Sequence, residues 1–323
     1  MPLKLGDRNP TVRRWREVMA ARFSGYARVH GPLPTDTDEF GPRAEAWQTE
    51  YESRTFQPLD GIVSDDDLRA LGIPSPEDTR PVLLTVSGTG VPWWIGPDAD
   101  VARRLGDVYL WRPVGPPYTA QAFPMGPSVA NGVTEATRIL VEEERQRIER
   151  YGLSMIGYSQ GAIVTSELWE YHIKPVTGRL HWVKDHVRGA VTFGNPMRET
   201  GKVWPDPGGQ MPSAKSHGIA DQLMVDTPDW WRNYAHKGDL YTDCEGDSGE
   251  MKTAIYKVVM MSRVFSGPDS ILRQLLEIGV NPTFELIALI RAVLDAGLFF
   301  IRGTGPHVNY NIDPATDFLR SVT

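Results

Sequence analysis

Apolar positions recur at helical spacing in the first 73 residues. An apolar residue at every third or fourth position predicts an amphipathic helix. Three segments show this spacing: residues 11–23, 41–55 and 64–72. Pro42 suits the first turn of the second segment, and Ser64 and Gly72 suit the two caps of the third. We therefore predict a small all-α, three-helix domain over residues 1–73, followed by a Pro- and Ser-containing linker over residues 74–80.

From residue 81 the pattern changes to short apolar runs that alternate with helical patterns. The runs predict buried strands at residues 81–90, 107–114, 153–159, 187–196 and 232–241. Residues 134–152 and 161–173 have helical periodicity. Because strands separated by helices are typical of βαβ units, we expect an α/β domain with a mostly parallel sheet over residues 81–323.

Residues from about 249 to 302 have helical patterns and contain no strand candidate of comparable quality. We predict a helical insertion there, before the last short segment of the α/β domain. Its most apolar part, residues 285–301, is interrupted by Arg291 and Asp295 and is short for a bilayer span. We therefore expect a buried or amphipathic helix and no transmembrane segment. The apolar side chains of the insertion either pack onto the core or line a groove for an acyl chain.

Composition restricts the classes of partner. Of 323 residues, 41% are hydrophobic and 23% charged, so a sizeable core can form. The formal net charge of −7 argues against a nucleic-acid partner, which usually selects a basic surface. The single cysteine, Cys244, excludes an intrachain disulfide and a multi-cysteine metal site. Residues 1–10 lack the apolar core of a secretory signal peptide. We expect a protein made in a reducing cytoplasm without a signal peptide, and neither a metal nor a cofactor.

Residues 157–161 read Gly-Tyr-Ser-Gln-Gly and lie where a predicted strand meets a predicted helix. In that context the G-x-S-x-G pattern is typical of a nucleophile elbow, a sharp turn that presents a serine. Ser159 is therefore the candidate nucleophile. The N–H of Gln160, at the start of the helix, is a candidate donor to an oxyanion. An incidental Gly/Ser turn is the alternative interpretation.

A serine nucleophile needs a histidine base and a carboxylate, in the chain order Ser, acid, His for this fold class. Three of the seven histidines can compete: His217, His236 and His307. We predict that His307 is the base, because it lies in a Gly-Pro-His loop that follows all the strands. His236 is interpreted as a packed strand residue and His217 as a surface residue.

The acid and the second oxyanion donor should follow strands. Asp239 lies in the Lys-Gly-Asp-Leu-Tyr segment at the end of the fifth run, residues 237–241, and is the first candidate, with Asp243 and Asp247 as alternatives. Residues 87–90, Ser-Gly-Thr-Gly, follow the first strand, where the second donor usually lies. A phosphate-binding loop is the weaker alternative, because residues 91–94, Val-Pro-Trp-Trp, do not resemble a helix start.

The motifs GYSQG, GNP, KGDLYTDC and GPHVNY, in this order, resemble those of the cutinase-like branch of the α/β-hydrolases. The closest resemblance is to the lysin B esterases of mycobacteriophages, and it covers nearly the whole α/β domain. It implies that Ser159 is the nucleophile, Asp239 the acid and His307 the base. It also implies that Gln160 and Thr89 form the oxyanion hole.

The N-terminal domain is similar to a short three-helix peptidoglycan-binding domain. The matching segments are Leu-Gly-Asp at 5–7, Phe-Gly-Pro at 40–42, Ala-Trp-Gln at 46–48 and Leu-Asp-Gly-Ile-Val at 59–63. The resemblance implies that residues 1–73 bind peptidoglycan. Whether they bind glycan or only stabilise the neighbouring domain is left open by the sequence.

The resemblance implies a serine esterase that hydrolyses the ester between mycolic acids and arabinogalactan of the mycobacterial envelope during phage lysis. The expected partner is mycolyl-arabinogalactan-peptidoglycan, met at the envelope after release of the protein from the host cytoplasm. The alternatives are an acyl or mycolyl transferase, which uses the same three residues, and a general lipolytic cutinase-like esterase. The presence of Ser, Asp and His candidates argues against an inert envelope-binding module. A peptidoglycan hydrolase would need a catalytic carboxylate pair or a zinc site, and the sequence shows neither in a convincing context.

Overall fold

The computed structural model describes residues 2–74, 78–122, 124–246, 253, 256–257, 260 and 305–323. The chain divides into two compact units, Met1–Thr79 and Arg80–Thr323. Each unit has an apolar core of its own. The predicted insertion over residues 249–302 lies outside the described residues, apart from isolated positions.

The first unit consists of short helices. They are α1 (Pro10–Arg22), α2 (Ala27–His30), α3 (Pro42–Thr55) and α4 (Asp65–Leu71), with a 3-10 turn at Ser24–Tyr26. Three of these helices begin and end within one or two residues of the predicted segments. The 3-10 turn and α2 were not predicted, because they are too short to show a periodic apolar pattern.

Local capping explains where the last of these helices begins and ends. The Ser64 side chain and the Asp67 side chain form a reciprocal capping box at the start of α4. Gly72 ends the helix with a φ of 71°, a conformation that favours glycine. The tryptophans of α1 and α3, Trp15 and Trp47, are fully buried in the core of the unit.

A five-stranded parallel sheet forms the centre of the second unit. Its strands are β1 (Val82–Val86), β2 (Leu110–Pro113), β3 (Leu153–Tyr158), β4 (Val187–Phe193) and β5 (Trp231–Tyr234). Their order is β2-β1-β3-β4-β5, and every neighbouring pair is parallel. Every residue of β1 and β3 is buried, as continuous apolar runs in a sheet covered on both faces require.

Helices flank the strands. They are α5 (Pro97–Arg104), α6 (Met125–Arg138), α7 (Arg145–Tyr151) and α8 (Gln160–Glu167), with π-helical turns at Ile139–Glu143 and Leu168–Ile173 and a 3-10 helix at His181–His186. Two further helices, Gly305–Val308 and Asp313–Ser321, follow near the carboxyl terminus. None of the helices in the described part of the chain is both long and apolar enough to cross a membrane.

The single helix predicted over residues 134–152 is wrong in its extent. Helix α6 begins nine residues earlier, at Met125, and the chain changes direction at Glu144 before α7. Glu144 is buried and accepts a hydrogen bond from Arg112 of β2, forming a buried ion pair. Helix α5 and the helix Asp313–Ser321 were also not predicted.

The fifth strand ends earlier than predicted. It stops at Tyr234, so His236 and Asp239 lie in the turn that follows rather than within the strand. Because all the strands are parallel, their carboxyl ends meet at one edge of the sheet. The loop of residues 87–90 after β1, Ser159 after β3 and Asp239 after β5 are therefore carried to the same edge.

Candidate active site

Ser159 lies at a strained turn between β3 and α8. Its φ is 52° and its ψ −115°, a backbone conformation that a residue with a side chain rarely adopts. The turn is held by a 2.9 Å hydrogen bond from the Ser159 N–H to the carbonyl of Phe193, at the end of β4. The side chain is thereby fixed above the edge of the sheet, where a nucleophile is needed.

The two glycines that flank the serine have no room for a side chain. A Cβ at Gly161 would lie 2.0 Å from the carbonyl oxygen of Val86, and one at Gly157 would lie 2.6 Å from the Cα of Ala162. Both contacts are with backbone atoms, which cannot move aside cheaply. The G-x-S-x-G spacing is therefore explained by close packing of α8 on β1 and β3.

The structure brings Ser159, His307 and Asp239 into one hydrogen-bonded row. His307 Nε2 lies 2.9 Å from Ser159 Oγ, and His307 Nδ1 lies 2.9 Å from Asp239 Oδ2. All three side chains are buried or nearly so. The contacts require the Nδ1–H tautomer, so that Nε2 can accept the serine proton.

Asp239 is held by more than His307. Its Oδ1 accepts the Tyr241 N–H at 2.9 Å, and its Oδ2 accepts the hydroxyls of Thr242 at 2.8 Å and Tyr310 at 3.2 Å. Burial alone raises the pKa of Asp239, but attraction to His307 and these hydrogen bonds outweigh it, so the pKa lies below its ordinary value. The acid is thus kept ionised beside the histidine.

Aromatic rings and a glycine fix the position of the His307 ring. Tyr241 and Tyr158 lie beside it, with ring centroids at 4.4 Å and 5.8 Å. Gly194, which has a φ of 61°, approaches so closely that a Cβ there would lie 2.5 Å from His307 Cε1. The Gly-Asn-Pro motif after β4 therefore makes room for the imidazole.

Gln160 and Thr89 lie together beside Ser159. The Gln160 side chain donates from Nε2 to Thr89 Oγ1 at 3.3 Å and to the Gln121 carbonyl at 2.9 Å, and its Oε1 accepts from Ser128 Oγ at 2.9 Å. Because the Thr89 oxygen accepts from Gln160, its own hydrogen is available to a bound substrate. The N–H of Gln160, the other predicted donor, lies at the first position of α8.

The other candidates lie apart from the row. His217 bonds the neighbouring Gly218 carbonyl through Nδ1 at 2.7 Å, and His236 bonds Asp206 at 2.7 Å. Asp243 accepts the Gly238 N–H at 2.8 Å and stabilises the turn. Asp247 lies outside the described residues. No group of three or more potential metal ligands occurs in the ranges that the structure describes.

Several contributing residues were missed from the sequence. Tyr310 and Thr242 contact Asp239, and buried Arg198 donates to the Thr242 carbonyl at 2.6 Å. Thr242 lies within the KGDLYTDC motif and Tyr310 within GPHVNY. The two motifs therefore contain these supporting residues as well as the candidate acid and the candidate base. The position of Arg198 follows from packing, and no sequence pattern marks it.

Asp98, in the first turn of α5, is a fully buried acid near this site. Burial raises its pKa from the ordinary 3.8 to about 7, although the N–H groups of Asp98 and Ala99 favour the carboxylate. A raised carboxyl pKa costs folding stability as pH rises from the unfolded-state value to the folded-state value. Wild-type stability should therefore decline between pH 3.8 and about pH 7 through this group.

We expect Asp98→Asn to stabilise the protein above pH 7, because the amide does not ionise. The gain in the free energy of unfolding should be on the order of 4 kcal/mol at full ionisation and should shrink as pH falls. Denaturant unfolding across this pH range measures it. Asp100→Asn, an exposed acid in the same turn, is the control and should show no such gain. A difference in unfolding free energy between Asp98→Asn and the wild type that does not change with pH would contradict the raised pKa of Asp98.

The parallel sheet, its flanking helices and the serine turn after β3 define an α/β-hydrolase fold. Endolysin B of Mycobacterium phage L5 is 40% identical over 257 residues, covering 76% of this chain and all of that protein. Endolysin B of Mycobacterium phage D29 is 40% identical over 260 residues, with the same coverage. The chain belongs to the endolysin B family.

A solved structure agrees with this assignment. The crystal structure of lysin B from mycobacteriophage D29 has a TM-score of 0.65 and 38% identity, covering 75% of this chain and 99% of that one. No protein-family model matches the chain.

Proposed function

We propose that this endolysin B is a serine esterase that hydrolyses the ester between mycolic acids and arabinogalactan of the mycobacterial envelope during phage lysis. The observation that carries the proposal is the buried row Ser159–His307–Asp239, with contacts of 2.9 Å at both steps. Membership of the endolysin B family supports the mycobacterial envelope as the place where the protein acts. The row supports acyl transfer through a covalent intermediate.

The first half of the reaction forms an acyl-enzyme. His307 Nε2 takes the proton of Ser159 Oγ, and the oxygen attacks the ester carbonyl carbon. The negative charge passes to the carbonyl oxygen, which accepts hydrogen bonds from the Gln160 N–H and the Thr89 hydroxyl. As the tetrahedral intermediate collapses, His307 gives its proton to the leaving sugar oxygen, and the sugar departs as an alcohol.

The second half releases the acid. A water molecule gives a proton to His307 and attacks the acyl carbon, and the same two donors stabilise the second oxyanion. The bond to Ser159 breaks, and His307 returns the proton to its oxygen. Asp239 remains ionised throughout, because its charge stabilises the imidazolium in both halves.

Exposed apolar side chains that neighbour the proposed site residues along the chain support an apolar acyl substrate. Trp94 and Ile95 follow the loop that carries Thr89 and are 47% and 52% exposed, and Val308 follows His307 directly and is 48% exposed. Large apolar residues exposed beside a site are typical of one that binds apolar ligands. These side chains can contact a fatty chain whose ester lies at Ser159.

We expect Thr89→Val to lower kcat roughly 100-fold, because valine keeps the shape of threonine and removes the hydroxyl donor. KM should change little if the bond forms mainly in the transition state. Thr89→Ser retains the hydroxyl and is the matched control. Steady-state kinetics on a nitrophenyl ester measure both variants. Equal kcat values for Thr89→Val and the wild type would exclude Thr89 as a donor.

Oxygen labelling distinguishes the proposed hydrolase from a transferase with the same row. In water enriched in ¹⁸O, the hydrolase should release mycolic acid that carries one ¹⁸O atom from solvent in its carboxyl group. A transferase would move the acyl group to an added sugar alcohol and leave it unlabelled. Mass spectrometry of the lipid product reads the result, and an unlabelled sugar ester as the main product would replace the hydrolase proposal.

We also propose that residues 1–73 bind peptidoglycan and that the protein acts at the mycobacterial envelope. The resemblance of the first unit supports binding, and its separate core supports a distinct role. Sedimentation of the Ser159→Ala variant with mycolate-free peptidoglycan tests it. The same variant lacking residues 1–79 should stay in the supernatant.

A further inference from the structure

A second buried histidine–carboxylate pair lies behind the proposed catalytic row. His236 Nε2 lies 2.7 Å from Asp206 Oδ2, and His236 Nδ1 lies 2.8 Å from the carbonyl oxygen of Pro306. Both side chains are almost fully buried. Pro306 directly precedes His307, so this pair contacts the segment that carries the proposed base.

The partners of His236 determine how many protons its ring carries. A carbonyl oxygen can only accept a hydrogen bond, so Nδ1 must be a donor. Asp206 accepts the Gly208 N–H at 2.7 Å and the Asn311 N–H at 3.2 Å, so its carboxylate oxygens act as hydrogen-bond acceptors. Nε2 must then donate as well, so His236 is an imidazolium with both nitrogens protonated.

The pair holds the catalytic segment at both ends. His236 binds the Pro306 carbonyl on one side of His307, and Asp206 binds the Asn311 N–H on the other. Between these points Tyr310 stacks on the His236 ring with centroids 4.6 Å apart. The Tyr310 hydroxyl donates to Asp239. Tyr310 therefore connects His236 to the acid of the proposed row.

We propose that His236 is a positioning residue: as an imidazolium paired with Asp206, it keeps His307 aligned with Ser159 and releases that alignment when it loses a proton. The proposal rests on His307 being the base of the proposed reaction. The neutral ring has one N–H, and the charged Asp206 is the stronger acceptor. The Pro306 carbonyl therefore loses its donor on deprotonation, and the His307 segment loses one of its two anchors.

The charges around His236 favour its protonated form. The titratable groups near it come from three places: Asp206 in the loop after β4, Tyr234, Lys237 and Asp239 on its own segment, and His307 and Tyr310 near the carboxyl terminus. Burial lowers the pKa of His236, but the hydrogen bonds to Asp206 and Pro306 and the charges of the two acids outweigh it. The pKa lies above its ordinary value of 6.5, so the bonded form persists to higher pH than in a free imidazole and is lost as pH rises through the raised pKa.

Two substitutions separate the two bonds of the ring. In His236→Asn, the side-chain amide nitrogen lies where Nδ1 lies in the wild type. It can donate to the Pro306 carbonyl and does not titrate. His236→Gln places its amide near Nε2, which keeps a contact to Asp206 and removes the one to Pro306. His181→Asn is the control, because His181 bonds the Ile173 carbonyl through Nδ1 at 3.0 Å and precedes the amino end of β4.

The test is kcat and KM for a nitrophenyl butyrate ester from neutral to alkaline pH. We expect wild-type kcat to fall at alkaline pH, and His236→Asn to lack that decline. His236→Gln should lower kcat roughly 10-fold to 100-fold at neutral pH with KM nearly unchanged, since misplacing a catalytic group affects the chemical step. His181→Asn should match the wild type. Wild-type kinetics in His236→Gln, or an unchanged alkaline decline in His236→Asn, would overturn the proposal.

A readout independent of activity separates this proposal from the proposed function. In ¹⁵N spectra of labelled wild type, both His236 nitrogens should be protonated at neutral pH. The Asn309 amide, which donates to the Gly305 carbonyl beside Pro306, should exchange faster once the ring deprotonates. A neutral His236 ring at neutral pH would overturn the proposal even if His236→Gln fails to fold. Esterase activity that survives Ser159→Ala would instead overturn the proposed function. The spectra would still show whether His236 is charged.

Discussion

Ser159→Ala should abolish ester hydrolysis, lowering kcat by at least roughly 10⁴-fold. The reason is that Ser159 Oγ is the atom that His307 Nε2 contacts in the described part of the site, and an acyl-enzyme cannot form without that oxygen. The fold should survive, because the turn is held by backbone contacts of Ser159 with Phe193 and by the two flanking glycines. Steady-state kinetics and thermal unfolding measure the two effects separately.

A serine elsewhere on β3 provides the matched control. Ser154 is fully buried near the amino end of the strand and its hydroxyl contacts the Tyr109 hydroxyl at 2.9 Å. Ser154→Ala should cost about 1 kcal/mol of stability and leave kcat unchanged. The opposite pattern, with activity lost in Ser154→Ala and retained in Ser159→Ala, would contradict the assignment of the nucleophile.

Asp239→Asn should lower kcat roughly 10³-fold to 10⁴-fold. The amide cannot stabilise the imidazolium, and its NH₂ group, if turned toward Nδ1, favours the tautomer in which Nε2 carries the proton. Such a ring cannot accept the proton of Ser159. KM should change little, because Asp239 is buried behind His307 and does not face the substrate.

Asp243→Asn tests the alternative acid from the same turn. Asp243 accepts the Gly238 N–H and is four residues from Asp239. Its loss should weaken the turn slightly and reduce kcat no more than a few-fold. A larger loss in Asp243→Asn than in Asp239→Asn would move the role of the acid to Asp243.

The elbow could be predicted from the sequence because its signal is local. Gly157 and Gly161 are required by contacts within one strand–turn–helix unit, and the apolar runs on either side identify that unit. Chain order and position after the strands then made Asp239 and His307 the first candidates, while Asp243 and Asp247 stayed open as acids. The fold class followed from the same alternation of buried runs and helices.

What the sequence did not predict depends on contacts between distant segments. The break before α7 occurs where Glu144 pairs with Arg112, 32 residues away. Tyr310 lies 71 residues from Asp239, whose carboxylate it contacts. His236 was interpreted as a packed residue, and its burial fits that interpretation, but its bonds to Asp206 and Pro306 were visible only once the sheet had placed the loops together.

Release of free mycolic acid from purified mycolyl-arabinogalactan-peptidoglycan, by the wild type and by Ser159→Ala, tests the central claim most directly. We predict that the wild type releases mycolic acid and that the variant, folded to the same extent, releases none. Failure of the wild type, with nitrophenyl esters still cleaved, would contradict the mycolate assignment and leave a general esterase. Release that persists in the variant would contradict the role of Ser159 as nucleophile.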